Sequence, residues 1–181
     1  MAPWGCSSVL GCRLYLKEDD VSDESTREAL GRALGMIPSG IFIVTAAREG
    51  VCSAYVGSWI QQAAFDPPSI TIAMNKQRSL LTLLQPGNGV GVNILGRRQA
   101  PLYARFERGF TLEENPFQDV AIDTGGTGAP LLREAFASLD CRVRALLDAG
   151  DHMLVLAEVL SGSVHELGEP MTYTRRSGFD Y

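Results

Sequence analysis

Histidine is scarce in this sequence, with His152 and His165 the only two in 181 residues. The four cysteines (Cys6, Cys12, Cys52 and Cys141) form no CxxC pair, and none has a histidine near enough in sequence to suggest zinc. No run approaches the ~20 apolar residues of a membrane-spanning helix. Val9-Leu10-Gly11-Cys12 has the look of a lipoprotein cleavage site but lacks a basic start and a continuous apolar stretch before it. Cations are the minority, 16 Lys and Arg against 21 Asp and Glu, for a net charge of −5. That balance argues against a nucleic-acid backbone or an anionic membrane as the main partner. A dinucleotide fingerprint is also missing. Gly125-Gly126-Thr127-Gly128 has neither a strand before it nor the GxGxxG or P-loop spacing. Any phosphate must therefore be held by a local group of cations. Nothing demands an oxidising compartment, and the expected location is the cytoplasm.

A hydrophobic content of 45% supplies a full core for one domain, while 19 glycines and nine prolines favour a turn-rich β or α+β fold. Residues 1–24 show no clean period and read as an N-terminal extension; residues 25–181 read as the domain. Ser25-Thr26-Arg27-Glu28 is a capping-box pattern. Ala29, Leu30, Ala33, Leu34 and Ile37 then form one apolar helical face. A dense apolar run over 41–46 predicts a buried strand, returning through Arg48-Glu49-Gly50 into 51–56. Further strands are predicted over 69–74, 90–95, from Ser138, over 153–160 and around 171–174. Along the third of these, Leu139, Cys141, Val143 and Ala145 alternate with Asp140, Arg142 and Arg144, which predicts a half-exposed antiparallel strand. Cys52 and Cys141 read as small buried hydrophobes in strands, Cys6 and Cys12 as free thiols. Residues 98–110 read as helical, with Pro101 in a first turn, and 111–134 as loop with short structured pieces. Some seven strands joined by hairpins predict a mainly β, mostly antiparallel sheet that closes into a β-barrel with flanking helices.

The chain is organised around Ser53 to Leu84. This stretch reads as a strand, a small-residue loop, the Pro67-Pro68 break, a second strand and a short helix. Ser58, Trp59, Gln61 and Gln62 offer amides and a hydroxyl beside an aromatic ring. Asn75-Lys76-Gln77-Arg78-Ser79 puts two cations, an amide and a hydroxyl where a helix should begin, a place that attracts anions. A flat polar heterocycle at one end and a phosphate at the other describe flavin mononucleotide.

In order and spacing the sequence resembles the flavin reductase-like family, the FMN-binding split barrel. The features that carry the resemblance are Ile41-Phe42-Ile43-Val44-Thr45, Ser58-Trp59 ahead of Phe65-Asp66-Pro67-Pro68, and Asn75-Lys76-Gln77-Arg78-Ser79. They continue with Val92-Asn93-Ile94-Leu95, Arg105-Phe106, Gly150-Asp151-His152, and Ser177-Gly178 with Tyr181. The chain looks especially like the C-terminal flavin reductase module of flavodiiron proteins. The resemblance implies a homodimer that binds FMN and takes electrons from NADH or NADPH. It places Ser58, Trp59, Ile60 and Gln61 beside the isoalloxazine ring, partly through backbone groups. It places Asn75, Lys76, Arg78 and Ser79 on the phosphate and ribityl chain, and His152 close to flavin and nicotinamide. One departure stands out: a Ser-x-Ser pattern common before the Pro-Pro is replaced here by Gln62 and Ala64, which shifts the phosphate's weight to Lys76 and Arg78.

Three functions follow from that resemblance. The first is an NAD(P)H:flavin oxidoreductase passing electrons to free flavin, a protein acceptor or oxygen. Hydride transfer through a flavin needs few catalytic side chains, so two histidines suffice. The second is a non-catalytic flavin-binding electron-carrier module. The third is a split barrel that has lost flavin in favour of an interaction role or another ligand such as haem. Arg105 and Arg108 either meet a nicotinamide phosphate or line an exposed helix, and His165 reads as a solvated loop residue.

Overall fold

Residues 24–180 are described in a computed structural model of the chain. The expected N-terminal extension up to residue 23, with Cys6 and Cys12, and the terminal Tyr181 lie outside the described residues. The chain divides into two compact units, Ile37–Thr174 and the segments on either side of it.

In the flanking unit, helix α1 (Glu24–Gly35) starts one residue before the expected cap, so Ser25 lies inside its first turn. Its buried face differs from the predicted one. Leu30 is 45% exposed, and the helix buries Gly31 and Gly35 instead. The C-terminal tail lies against this glycine stripe. Gly178 donates its N–H to the Gly31 carbonyl and Arg175 to that of Gly35. A Cβ at Gly35 would come 2.5 Å from the Arg175 carbonyl oxygen. The absent side chains, rather than the leucines, let the tail approach.

The larger unit is built on a seven-stranded sheet. Its strands are β2 (Phe42–Arg48), β3 (Val51–Gly57), β4 (Ile60–Phe65), β5 (Pro68–Asn75), β6 (Gly89–Ile94), β9 (Ala137–Ala149) and β10 (His152–Val164). They lie in the order β3-β2-β6-β9-β10-β5-β4, every neighbour antiparallel. The two edge strands are consecutive in the chain and joined only by Ser58 and Trp59. A two-residue link reaches roughly 10 Å, so the sheet must curl until its edges nearly meet without bonding. The result is a barrel with an open seam. Bulges in the β9–β10 and β4–β5 pairings supply some of the bend.

The small strands β1 (Ser39–Gly40) and β11 (Thr172–Tyr173) pair with each other, as do β7 (Ile122–Thr124) and β8 (Pro130–Leu132). The prediction thus misassigned two elements. Residues 60–65, read as loop, are a strand of the barrel, and residues 171–174 belong to a minor pair outside it.

Inside the barrel lie Val44, Ile60, Ile72, Met74, Val92, Val143 and Val155, with Leu80, Leu83 and Leu84 of the following turn packed among them. The opposite face of β2 and β3 carries Ile43 and Ala54 against Leu102 and Phe106 of helix α2 (Ala100–Phe106) and Phe117 and Leu132 beyond it. β2 is therefore buried on both faces, as its dense apolar run predicts. The β7–β8 hairpin is stitched to the barrel by buried polar groups: Thr45 Oγ1 donates to Pro130 O, and the Asn93 amide bridges Ile43 O and Leu132 N. This hairpin also covers Asp140, expected to be solvated but only 2% exposed. Its carboxylate accepts from the Thr127 N–H and hydroxyl. The glycine-rich turn thus faces an anion of the protein's own, and Gly125 leaves room for it.

Candidate functional site

The link across the seam carries Ser58 and Trp59, both half-buried. The Trp59 ring meets the imidazole of His152, centroids 4.9 Å apart and planes tilted by 37°. His152 opens β10 directly opposite Asn75, the last residue of β5. It is 6% exposed, and its Nδ1 lies 2.8 Å from Asp151 Oδ1. This hydrogen bond is the main cause that holds the Asp151 carboxyl below its ordinary range. An ionised carboxylate only accepts, so Nδ1 carries a proton and donates to Asp151.

Past β5 the chain turns sharply. Asn75 organises the turn: its Oδ1 accepts from Gln77 N and its carbonyl from Arg78 N. The predicted helix is a 3-10 turn, Ser79–Leu83, too short to contribute a macrodipole. Side chains must therefore do any anion binding here. Arg78 lies over the Tyr55 ring, 5.6 Å from its centroid, and forms no ion pair among the described residues. Ser79 Oγ donates to Phe110 O at 3.0 Å. Gly109, at φ +72, sits so close that a Cβ would come 3.0 Å from Arg78 Nη1. Lys76 is differently placed. Its ammonium contacts both carboxylate oxygens of Asp148 at 2.7 Å, and its N–H donates to Asp151 O.

Ile60 and Gln61 fall on opposite faces of β4. Ile60 is 5% exposed in the barrel core, while Gln61 is exposed. The Ile60 side chain is spent on the core, which leaves its backbone groups as the ones open to a ligand. Trp59 O accepts from Ala73 N, so alternation turns the N–H and C=O of Ile60 away from β5, along the seam. Both residues also border an open, mostly apolar pocket of about 420 Å³ with Phe42, Gln62, Ser69 and Ile70. Ile70 is five residues from Asn75 along β5, roughly 17 Å. The predicted residues thus gather around the end of β5: His152 on β10 faces Asn75 and meets Trp59, Lys76, Arg78 and Ser79 follow in the turn, and Ile60 and Gln61 continue from Trp59 along β4, opposite Ile72 and Thr71.

Other expected residues have different work. Arg108 pairs with Glu114 and covers Phe110, and Arg105 donates to Gln118 O. His165 is an exposed loop residue, as expected, and its Nε2 lies 2.9 Å from the hydroxyl of buried Ser138. Sequence reasoning missed Tyr55, Asp148 and Asp151 as neighbours of the cations and the histidine. Only Asp151 gave a signal, its adjacency to His152.

The family model described as "Flavin reductase like domain" matches residues 34–180. The chain belongs to the flavin reductase-like family. Within it, diflavin flavoprotein A 1 of Synechocystis is 36% identical over 137 residues, 75% of this chain and 24% of that relative. The chain spans about a quarter of the length of the curated relatives it matches. Among solved structures, the NADH:FAD oxidoreductase of Streptomyces globisporus superposes with a TM-score of 0.72 at 24% identity, over 79% of this chain and 85% of that one. A homolog of nitrilotriacetate monooxygenase component B from Mycobacterium thermoresistibile gives 0.70 at 25% identity, over 80% of each chain. The family's split-barrel fold is the one described above.

Proposed function

We propose that this protein is a flavin reductase-type oxidoreductase that binds FMN and moves hydride from NADH or NADPH to it, with free flavin or a protein as electron acceptor. We further propose that it works as a homodimer in the cytoplasm. The observation that carries the reading is the Trp59–His152 ring pair, backed by Asp151, standing at the strand end that leads into a turn with two cations.

The donor set fits a flavin nucleotide. The seam of β4 offers a backbone N–H and C=O to a heterocycle edge, Trp59 offers an aromatic surface, and the Arg78 fork suits a phosphate. When bound, the flavin supplies the hydride chemistry. The protein's part is to hold ring and nicotinamide in register. His152, buried and fixed by Asp151, holds its imidazole beside Trp59. FMN is favoured over FAD because the cations sit in one short turn, which suits a terminal phosphate. The Streptomyces relative, named for FAD, makes the comparison between the two flavins part of the test.

The test is the visible spectrum of the purified protein with FMN, FAD or riboflavin, then with NADH and NADPH in the absence of oxygen. A flavin band that bleaches with one nucleotide is the expected result. Bound flavin that resists both donors identifies a carrier module, and no flavin uptake overturns the reading.

A further inference from the structure

The two cations of the 75–79 turn are not equivalent. Arg78 has no carboxylate among the described residues, whereas the Lys76 ammonium is already held at 2.7 Å by both oxygens of Asp148. Asp148 lies at the end of β9, just before the turn into β10 and far from Lys76 in sequence, and its placement is built in. Gly150, at φ +83, lets the turn close and donates its N–H to Asp148 Oδ1 at 3.0 Å. The main chain is pinned as well, because Lys76 N donates to Asp151 O. Asp148 therefore has an ammonium and a backbone N–H fixing it where an incoming anion would bind. The pair is also accessible, with side chains 36% and 68% exposed. Exposed ion pairs of this kind are weak enough to be exchanged.

We propose that Asp148 competes with the flavin phosphate for Lys76, and so limits how strongly the site distinguishes FMN from riboflavin. This rests on the flavin reading above. Arg78 gives its fork to the phosphate directly. Lys76 contributes only after the phosphate displaces Asp148, and the displaced carboxylate then adds repulsion nearby, together with Asp151. A site built this way holds a phosphorylated flavin without locking it in. That suits a flavin that binds, is reduced and leaves, rather than one held permanently.

The experiment measures FMN and riboflavin dissociation constants by quenching of flavin fluorescence, in the full chain, for wild type, Asp148→Asn, Lys76→Ala and the double variant. Asp148→Asn should tighten FMN by about fivefold, the scale of one exposed ion pair, and leave riboflavin unmoved. In the Lys76→Ala background the same change should have no effect on the FMN-to-riboflavin ratio. An unchanged or reduced ratio in Asp148→Asn overturns the proposal. So does an equal gain with and without Lys76, which would reflect net charge alone. Wild type that binds FMN while these ratios stay flat sinks the competition only. Wild type that binds neither flavin sinks the functional reading, and the competition with it.

Discussion

The two ends of the candidate site are built by different physics. At the ring end, His152 is buried, tilted against the Trp59 ring and hydrogen-bonded to Asp151. At the cation end, Lys76 and Asp148 form an exposed pair, and Arg78 lies half-buried over Tyr55. A buried imidazole held from two sides has little freedom to rearrange, whereas exposed ion pairs exchange with solvent and ligands. Under the proposed function, orientation falls to the first end and affinity to the second. Each end should then fail in its own way when mutated.

The largest effect is expected from His152→Ala. It should lower the rate of anaerobic flavin reduction by ~100-fold, the scale of a lost positioning contact, while FMN still binds. Stopped-flow absorbance and equilibrium quenching report the two separately. If affinity falls and the rate stands, the ends have been assigned the wrong way round. Lys76→Ala combined with Arg78→Ala should do the opposite. A charge-assisted contact contributes about 2 kcal/mol, so FMN should weaken roughly 30-fold and riboflavin hardly at all. Equal losses for both ligands would remove the phosphate assignment.

The contrast between the ends was only half legible in the sequence. Composition and periodicity indicate the barrel, its buried β2 and the cation turn, because those signals are local. The edge strand Ile60–Phe65 was not visible, since Gln61, Gln62 and two alanines carry no strand pattern; its pairing with β5 decides it. The face of α1 was misread for a related reason. Leucine spacing predicts burial only if a partner arrives, and here the tail comes to Gly31 and Gly35. The chain lists Lys76 and Arg78 as equals. Only folding brings Asp148, 72 residues away, to one of them and Tyr55 to the other.

A smaller effect tests how the ring end is held. Asp151→Asn keeps the shape but can present an amide N–H to Nδ1, which favours the other tautomer. The rate of flavin reduction should drop roughly fivefold, the effect of one ordinary hydrogen bond. The tautomer change should appear in the His152 ring nitrogen shifts by NMR. A rate loss without that signature would mean that Asp151 acts on the turn alone.

The smallest expected effect belongs to the cation end without any ligand. Lys76 first, then the Gly150 N–H, hold the Asp148 carboxyl below its ordinary value of 3.8. A carboxyl depressed on folding binds its proton less readily in the folded chain than in the unfolded one. It therefore adds stability that is complete above the ordinary value and disappears as pH falls through the folded one. Wild type should be slightly more stable than Asp148→Asn at neutral pH, and the gap should close in the acid range below 3.8. Thermal melts of both proteins across that range measure it, at low salt where the pair is least screened. Asp151 titrates in the same window, so Asp151→Asn in both backgrounds separates the two contributions. A gap that persists unchanged into acid would mean that Asp148 stabilises the turn through its hydrogen bond to Gly150 rather than its charge. Lys76 would then already be available to a phosphate.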